Sequence, residues 1–168
     1  MLSTNGLQSG TSIWSAFALS DDDQMGDDDV IACKILADGT TVVERDYNIN
    51  ADNTYPVPLS TTDSAIGLSN SAVTYSNGML TCTFTRVNSM STVANYRNIA
   101  NLAYVLFATG PVNSAGSLQY HSDRTASDVE INFPTGQQVR TSTVATTTVT
   151  KVPGVYSGLF TAPGYSVS

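Results

Sequence analysis

Two side chains in this sequence could bind a soft or borderline metal centre: Met25 and His121, the only histidine. Met25 lies inside the acidic stretch Ser20-Asp-Asp-Asp-Gln-Met-Gly-Asp-Asp-Asp-Val30, which holds six of the fourteen acidic residues. A thioether and an imidazole together form the axial ligand pair of one class of electron-transfer haem. From the residues alone, however, a methionine that packs into the core and a hydrogen-bonded or surface histidine account for both positions better than a shared haem does.

The acidic stretch also raises the alternative of a calcium site. A calcium loop of the EF-hand type that starts at Asp21 would place Met25 at its fifth position and Ala32 at its twelfth, where a bidentate glutamate belongs. The EF-hand pattern therefore fails. A calcium site of another kind, in an adhesion-type sandwich, stays open as the third interpretation.

Other kinds of chemistry find little support in the sequence. A single histidine serves at most one catalytic triad, and no Gly-x-Ser-x-Gly or Gly-x-Gly-x-x-Gly pattern is present. The formal net charge of −7, with only seven Lys and Arg residues, argues against nucleic acid as a partner. We therefore expect neither hydrolysis nor nucleotide binding.

The two cysteines, Cys33 and Cys82, lie in apolar segments that we predict to be core strands. Two cysteines at similar distances from turns could meet if their strands are neighbours. If the domain is extracellular, an even cysteine count favours a disulfide, and two buried thiols are the alternative.

The elements that must position these residues are predominantly β-strands, because apolar and polar residues repeatedly alternate with a period of two. Asp38-Gly39 and Asn77-Gly78 separate strand-like runs and predict hairpin turns. A short helix is expected somewhere in 88–100. The predicted strands cover 13–19, 30–36, 41–47, 65–75, 79–87, 102–108, 117–121, 129–133 and a late segment within 139–150. The pattern predicts an all-β, immunoglobulin-like antiparallel sandwich of about ten strands in two sheets.

The chain length of 168 residues favours a single domain with a substantial core. We expect the sandwich to occupy 1–136, and 137–168 to be a late strand with an irregular tail that packs on the sandwich or links to a further domain. The first residues lack the charged and apolar regions of a signal peptide. If the natural protein is secreted, we therefore expect this chain to be an excised domain.

Four pieces of the sequence, within 13–133, resemble the DOMON family, in particular its ferric-chelate-reductase-like and stromal-cell-derived-receptor-like subgroup. The most specific pieces are Met25-Gly-x-Asp-Asp-Val30 and Tyr120-His121. The resemblance rests on Trp14-x-x-Phe17-x-x-Ser20-x-Asp22-x-x-Met25-Gly26-x-Asp28-Asp29-Val30-x-x-Cys33, Gly78-x-Leu80-Thr-Cys82-x-Phe84-x-Arg86, Tyr104-Val-Leu-Phe-Ala-x-Gly110-Pro111 and Gly116-x-Leu118-x-Tyr120-His121.

The resemblance implies an extracellular or luminal β-sandwich related to the cytochrome domain of cellobiose dehydrogenase, which holds b-type haem through Met and His. It thereby implies non-covalent haem b in this chain, with Met25 and His121 as axial ligands. Such a domain would relay single electrons, with a membrane b-type cytochrome as the expected redox partner, and would not be an enzyme by itself. The family also contains haem-free modules thought to bind sugars or other ligands, so a haem-free module for a sugar or a small aromatic ligand is the second interpretation.

The resemblance implies a haem at one end of the sandwich, between the Met25 loop and the strand end that carries His121. Several residues could surround a haem at that position. The aromatic candidates for the pocket lining are Trp14, Phe17, Tyr104, Phe107 and Tyr120, although a place in the ordinary sandwich core is the favoured interpretation for any one of them taken alone. Arg97 and Arg124 are the candidates to pair with the haem propionates.

Overall fold

The computed structural model describes residues 12–49, 55–76, 78–100, 102–133 and, for the backbone, 137–139. These residues form strands and turns, and they include no helix that could cross a membrane. The strands are β1 (Ile13–Ser20), β2 (Asp29–Ile35), β3 (Thr41–Tyr47), β4 (Val57–Pro58), β5 (Leu68–Ser76), β6 (Met79–Arg86), β7 (Leu102–Pro111), β8 (Asp123–Ala126), β9 (Glu130–Asn132) and β10 (Gln137–Val139).

Eight of the strands form one antiparallel sheet in the order β10-β9-β7-β1-β2-β3-β4, and β8 also pairs with β7. β1 lies at the centre, because its apolar residues pair with β2 on one side and with β7 on the other. In this register Trp14 lies opposite Gly110, and Ser20 lies opposite Tyr104. The two ends of β1 therefore meet the two ends of β7.

The hairpin β5–β6 forms the second sheet and covers one face of the large sheet, which we call the inner face. Ile31, Ile35, Leu80 and Phe84 pack together between the two sheets. Strict alternation in β6 directs its buried side chains to this core, as the sequence predicts. An all-β, two-sheet sandwich is thus confirmed.

A disulfide joins Cys33 on β2 to Cys82 on β6, with a Cα–Cα distance of 6.2 Å. The predicted disulfide is confirmed, but its strands face each other across the sandwich instead of being neighbours within one sheet. The reason is that both side chains point to the inner core, where the two sheets meet.

A charged cluster closes one end of this core. The buried carboxylate of Asp29 accepts hydrogen bonds from the guanidinium groups of Arg45 and Arg86, the latter at 2.7 Å. Both guanidinium groups lie 4.4 Å from the centre of the Tyr96 ring. A buried charge is tolerated where it is paired, so the three charges make the start of β2 depend on β3 and β6.

Three sequence predictions need correction or lie outside the described residues. The predicted helix in 88–100 is wrong, because this polar segment forms turns. The predicted strand 117–121 is also wrong: only Leu118 forms an isolated bridge, with Val112, and the strand lies later, at Asp123–Ala126. Of the predicted late strand and tail, only 137–139 is described, so the domain boundary at 136 stays a prediction.

Candidate functional site

A cavity of about 610 Å³ lies on the outer face of the large sheet, opposite the hairpin. Four alanines of three adjacent strands form what we call the alanine floor: Ala16, Ala18, Ala108 and Ala126. Side chains this short leave room above the sheet. The volume falls within the range of about 300–1,000 Å³ that is typical of small-molecule and cofactor sites.

Three loops form the walls and the mouth of this cavity. One follows β1 and includes Met25, one precedes β4 and includes Tyr55, and one connects β7 to β8 and includes His121. The remaining lining residues are Trp14, Asp23, Gln24, Val30, Asn48, Pro56, Leu106, Phe107, Leu118, Gln119, Tyr120, Arg124 and Thr125.

Met25 and His121 reach the cavity from opposite ends of β1. The Met25 loop leaves β1 at Ser20, whereas His121 lies beside the other end, where Trp14 pairs with Gly110. A strand rises about 3.3 Å per residue, so these two ends are roughly 20 Å apart. Both residues nevertheless line one cavity, although they are 96 positions apart in the sequence.

Hydrogen bonds to the end of β7 hold the segment that contains His121. The backbone N–H of Gln119 donates to the carbonyl of Pro111 at 3.0 Å, and that of Ser122 donates to the carbonyl of Thr109 at 2.8 Å. The Trp14 indole N–H donates to the Gln119 carbonyl at 3.1 Å. Residues on both sides of His121 are therefore bonded to the central strands.

Gly110 allows this close approach. A Cβ atom at Gly110 would lie 2.9 Å from two atoms of the Trp14 indole and 3.0 Å from the Cα atom of His121. Carbon atoms in favourable contact are about 3.5–4.0 Å apart. Only glycine therefore fits between the indole and the His121 backbone.

The imidazole of His121 is partly buried and packs against the Tyr120 ring, with 4.3 Å between the ring centroids and 37° between the ring planes. Its Nε2 atom is buried and has no hydrogen-bond partner among the described residues. Burial, and secondarily the charge of Arg124, lowers the pKa of His121. The imidazole is therefore neutral at pH 7, and a neutral ring nitrogen is the form that binds a metal.

The Met25 loop is built by short-range hydrogen bonds. The Gln24 N–H donates to the Asp22 carboxylate at 2.9 Å, and the Gly26 N–H donates to the Asp28 carboxylate at 2.8 Å. Gly26 and Asp27 both have positive φ angles, 148° and 56°. These turns explain how an exposed acidic loop can direct its one half-buried side chain, that of Met25, into the cavity.

Asp28 connects this loop to β3. Its carboxyl group is fully buried and accepts a hydrogen bond from the Asn48 side chain at 3.0 Å, while the Asn48 N–H donates to the Asp28 carbonyl at 3.1 Å. Burial raises the pKa of Asp28 above its usual value. Asn48 also lines the cavity. The sequence analysis named neither residue as a contributor to the site.

Several predicted lining residues do lie at the cavity, and three do not. Trp14, Tyr120 and Arg124 contribute to its lining together with Met25 and His121. Phe107 also lines it, although its ring contacts Phe17 on the inner face. Phe17 points to the inner face and contacts the Phe84 and Phe107 rings. Successive side chains of a strand point to opposite faces, and Ala16 and Ala18 on either side of Phe17 point to the cavity. Tyr104 lies opposite Ser20 at the far end of β1, outside the lining.

Arg97, a predicted partner of the propionates, lies outside the cavity. Its guanidinium group pairs with Asp21, and its backbone N–H donates to Asp29 at 3.0 Å. The sequence could not reveal this ion pair, since its partners are 76 positions apart. Among the described lining residues, Arg124 is the only lysine or arginine.

The aspartates of the acidic stretch are not arranged around a common metal position. Within the described part of the chain, no group of three or more His, Cys, Asp or Glu side chains is arranged to hold an ion. Asp21, Asp28 and Asp29 instead bind Arg97, Asn48 and the two buried arginines. The calcium interpretation gains no support from this geometry.

Comparisons with known proteins agree with the resemblance seen in the sequence. The family model described as "DOMON domain" matches residues 4–111. The chain is 30% identical over 127 residues to the zebrafish (Danio rerio) protein named "Putative ferric-chelate reductase 1", covering 76% of this chain and 21% of the relative. The chain thus spans about a fifth of that protein's length. No solved structure matches the chain significantly.

Proposed function

This chain belongs to the DOMON family, and from that premise we propose that it is a b-type cytochrome domain that transfers single electrons. Met25 and His121 are the proposed axial ligands of a non-covalently bound haem. The observation that carries the proposal is that both residues line one cavity, where the buried Nε2 of His121 has no hydrogen-bond partner among the described residues. A buried polar atom without a partner is costly, and a metal bond would offset that cost.

The remaining residues of the cavity fit a haem in size and in chemistry. The alanine floor and the Trp14 ring offer an apolar surface for a porphyrin, and the volume suits a cofactor of that class. Arg124 is exposed at the rim, where a guanidinium group can pair with propionate groups in a bidentate manner. Arg97 is not proposed for this role, because its guanidinium group is bonded to Asp21.

Bound haem would supply a one-electron iron couple. The residues of this chain would determine how that couple is used: if the Met25 thioether and the His121 imidazole both held the iron, no position would be left for a substrate. Methionine ligation also raises the reduction potential. The proposed activity is therefore electron relay, not oxygenation or catalysis of a substrate reaction.

In the whole protein we propose that this relay serves a larger oxidoreductase, with a membrane b-type cytochrome domain as redox partner. The name of the zebrafish relative, a ferric-chelate reductase, supports that class of activity. The Cys33–Cys82 disulfide and the family both fit an extracellular or luminal placement.

A haem-free module that binds a sugar or a small aromatic ligand is the second candidate. The side chains of Tyr55 and Tyr120, 57% and 64% exposed, favour it because both rings line the mouth of the cavity. Exposed aromatic rings with a polar tip are common at binding surfaces. This candidate predicts that Met25→Ala and His121→Ala leave ligand binding intact.

Titration of the purified protein with haemin distinguishes the two candidates. We expect uptake of one haem per chain, with a sharp Soret band and resolved α and β bands after reduction with dithionite. His121→Ala and Met25→Ala should each lose the six-coordinate spectrum. Met79→Ala is the matched control, since Met79 is 42% exposed and does not line the cavity. A protein that is colourless and takes up no haemin would overturn the proposal.

A further inference from the structure

Met25 is attached to a loop, and a loop needs fixed neighbours to hold a side chain at a defined position. Several hydrogen bonds hold this loop in place, among them the Arg97–Asp21 pair described above. The Asp22 N–H donates to the hydroxyl of buried Ser20 at 3.2 Å, and the exposed Tyr47 hydroxyl donates to Asp27 at 2.9 Å. Two further bonds, from Gly26 and from Asn48, meet at the Asp28 carboxyl group.

Asp28 is the most deeply buried residue of this set. It is 0% exposed, and its Oδ2 atom accepts both the Gly26 N–H, one residue after Met25, and the side-chain N–H of Asn48. Asn48 is itself bonded through its backbone to the Asp28 carbonyl and follows β3 directly. A chain of bonds therefore runs from the end of β3, through one carboxyl group, to the residue beside the Met25 thioether.

We propose that Asp28 and Asn48 are the positioning residues for the Met25 sulfur, so that this pair determines whether methionine is an axial ligand. The inference rests on the proposed haem function. It adds that the methionine ligand depends on a buried carboxyl–amide pair outside the coordination sphere. Residues of this kind orient metal ligands in many proteins, and their loss typically weakens metal binding by about 10- to 100-fold.

The first part of the test needs no haem. In the haem-free protein, hydrogen exchange measured by NMR should show a protected Gly26 amide, because a carboxyl group that is buried binds it. We expect exchange at least about tenfold faster in Asp28→Ala, the change that corresponds to about 1.4 kcal/mol. Asp38→Ala is the matched control: Asp38 binds the Thr40 N–H at 2.8 Å in the β2–β3 turn, remote from this loop.

The second part uses the haem-loaded protein. In Asp28→Ala and in Asn48→Ala, haem should still bind through His121, but the spectral signature of methionine ligation should be lost and the reduction potential should fall. The exchanged pair Asp28→Asn with Asn48→Asp keeps one amide and one carboxylate, and we expect it to restore both readouts. A merely structural role would change the melting temperature without changing the potential.

The outcomes separate this inference from the proposed function. Methionine ligation that survives in both Asp28→Ala and Asn48→Ala, or Gly26 protection that survives in Asp28→Ala, would overturn the inference. If no variant and no wild-type protein takes up haem, the proposed function fails, and the exchange rate of the Gly26 amide still decides whether Asp28 holds the loop. Should Asp28→Ala fail to fold, Asn48→Ala still tests the inference through the methionine signature and the reduction potential, because it removes the Asn48 bond and leaves the Gly26 bond to the Asp28 carboxyl group.

Discussion

Replacement of Gly110 by alanine tests the geometry of the His121 side of the cavity. The new methyl group would lie 2.9 Å from the Trp14 indole and 3.0 Å from the His121 Cα atom, which is about 0.5–1 Å closer than a favourable contact. The indole cannot yield easily, because it is buried and its N–H is bonded to the Gln119 carbonyl. Overpacking of this kind costs about 1–3 kcal/mol. We expect the free energy of unfolding to fall by that amount, measured by denaturant titration.

The same change should weaken haem binding, because the segment 119–122 has to move away from β7. A change in the residues that orient a metal ligand typically lowers the affinity for the metal by about 10- to 100-fold. Haemin titration would measure this loss of affinity. Gly78→Ala is the matched control: its φ of 80° makes alanine strained, but nothing lies within 4 Å of the added methyl group. It should lose about 1–2 kcal/mol of stability and no haem affinity. Wild-type haem affinity in Gly110→Ala would refute the reasoning.

Three further predictions concern the stability of the sandwich. Cys33→Ala with Cys82→Ala opens a loop whose ends are 49 positions apart and should cost about 4 kcal/mol in denaturant titrations, whereas an unchanged midpoint would contradict the chain-entropy argument. Burial, and secondarily Glu44, raises the pKa of Asp46 to about 7. The folded state then binds a proton that the unfolded state releases near pH 4, so stability should fall between about pH 4 and 7, by on the order of 4 kcal/mol, and Asp46→Asn should flatten this profile. Asp29→Ala would leave two buried guanidinium groups unpaired and should cost about 3–5 kcal/mol; thermal melting close to that of the wild type would show that other groups stabilise them.

The strands were predictable from the sequence where one face of the strand is buried and the other is more exposed, because apolar and polar residues then alternate. The segment 41–47 was predicted with the bounds that β3 has, and the alternation from Leu80 to Arg86 correctly placed four side chains on the buried face. By contrast, β8 is short and exposed at the edge of the sheet, so Asp123–Ala126 reads as a loop. Segment 117–121 alternates like a strand, but it forms only the isolated bridge of Leu118 with Val112 and a bond from the Gln119 N–H to Pro111.

For the candidate site, the sequence identified Met25 and His121 through their resemblance to a family, and the family assignment is confirmed. Their ligand role remains a proposal. The position of the cavity could not be predicted, since nothing in the sequence says which face of β1 the hairpin covers. The sequence analysis placed the haem at one end of the sandwich, whereas the cavity lies on the outer face of the sheet. Gly110 and Asn48 were missed because their importance comes from contacts with residues distant in the sequence.

The central claim, that one iron atom binds both Met25 and His121, is tested most directly by X-ray absorption at the iron edge of the haemin-loaded protein. We predict one sulfur ligand in the wild-type protein and in Met79→Ala. That sulfur should be absent in Met25→Ala, and one imidazole ligand should be lost in His121→Ala. An iron surrounded only by nitrogen and oxygen in the wild-type protein would contradict the account.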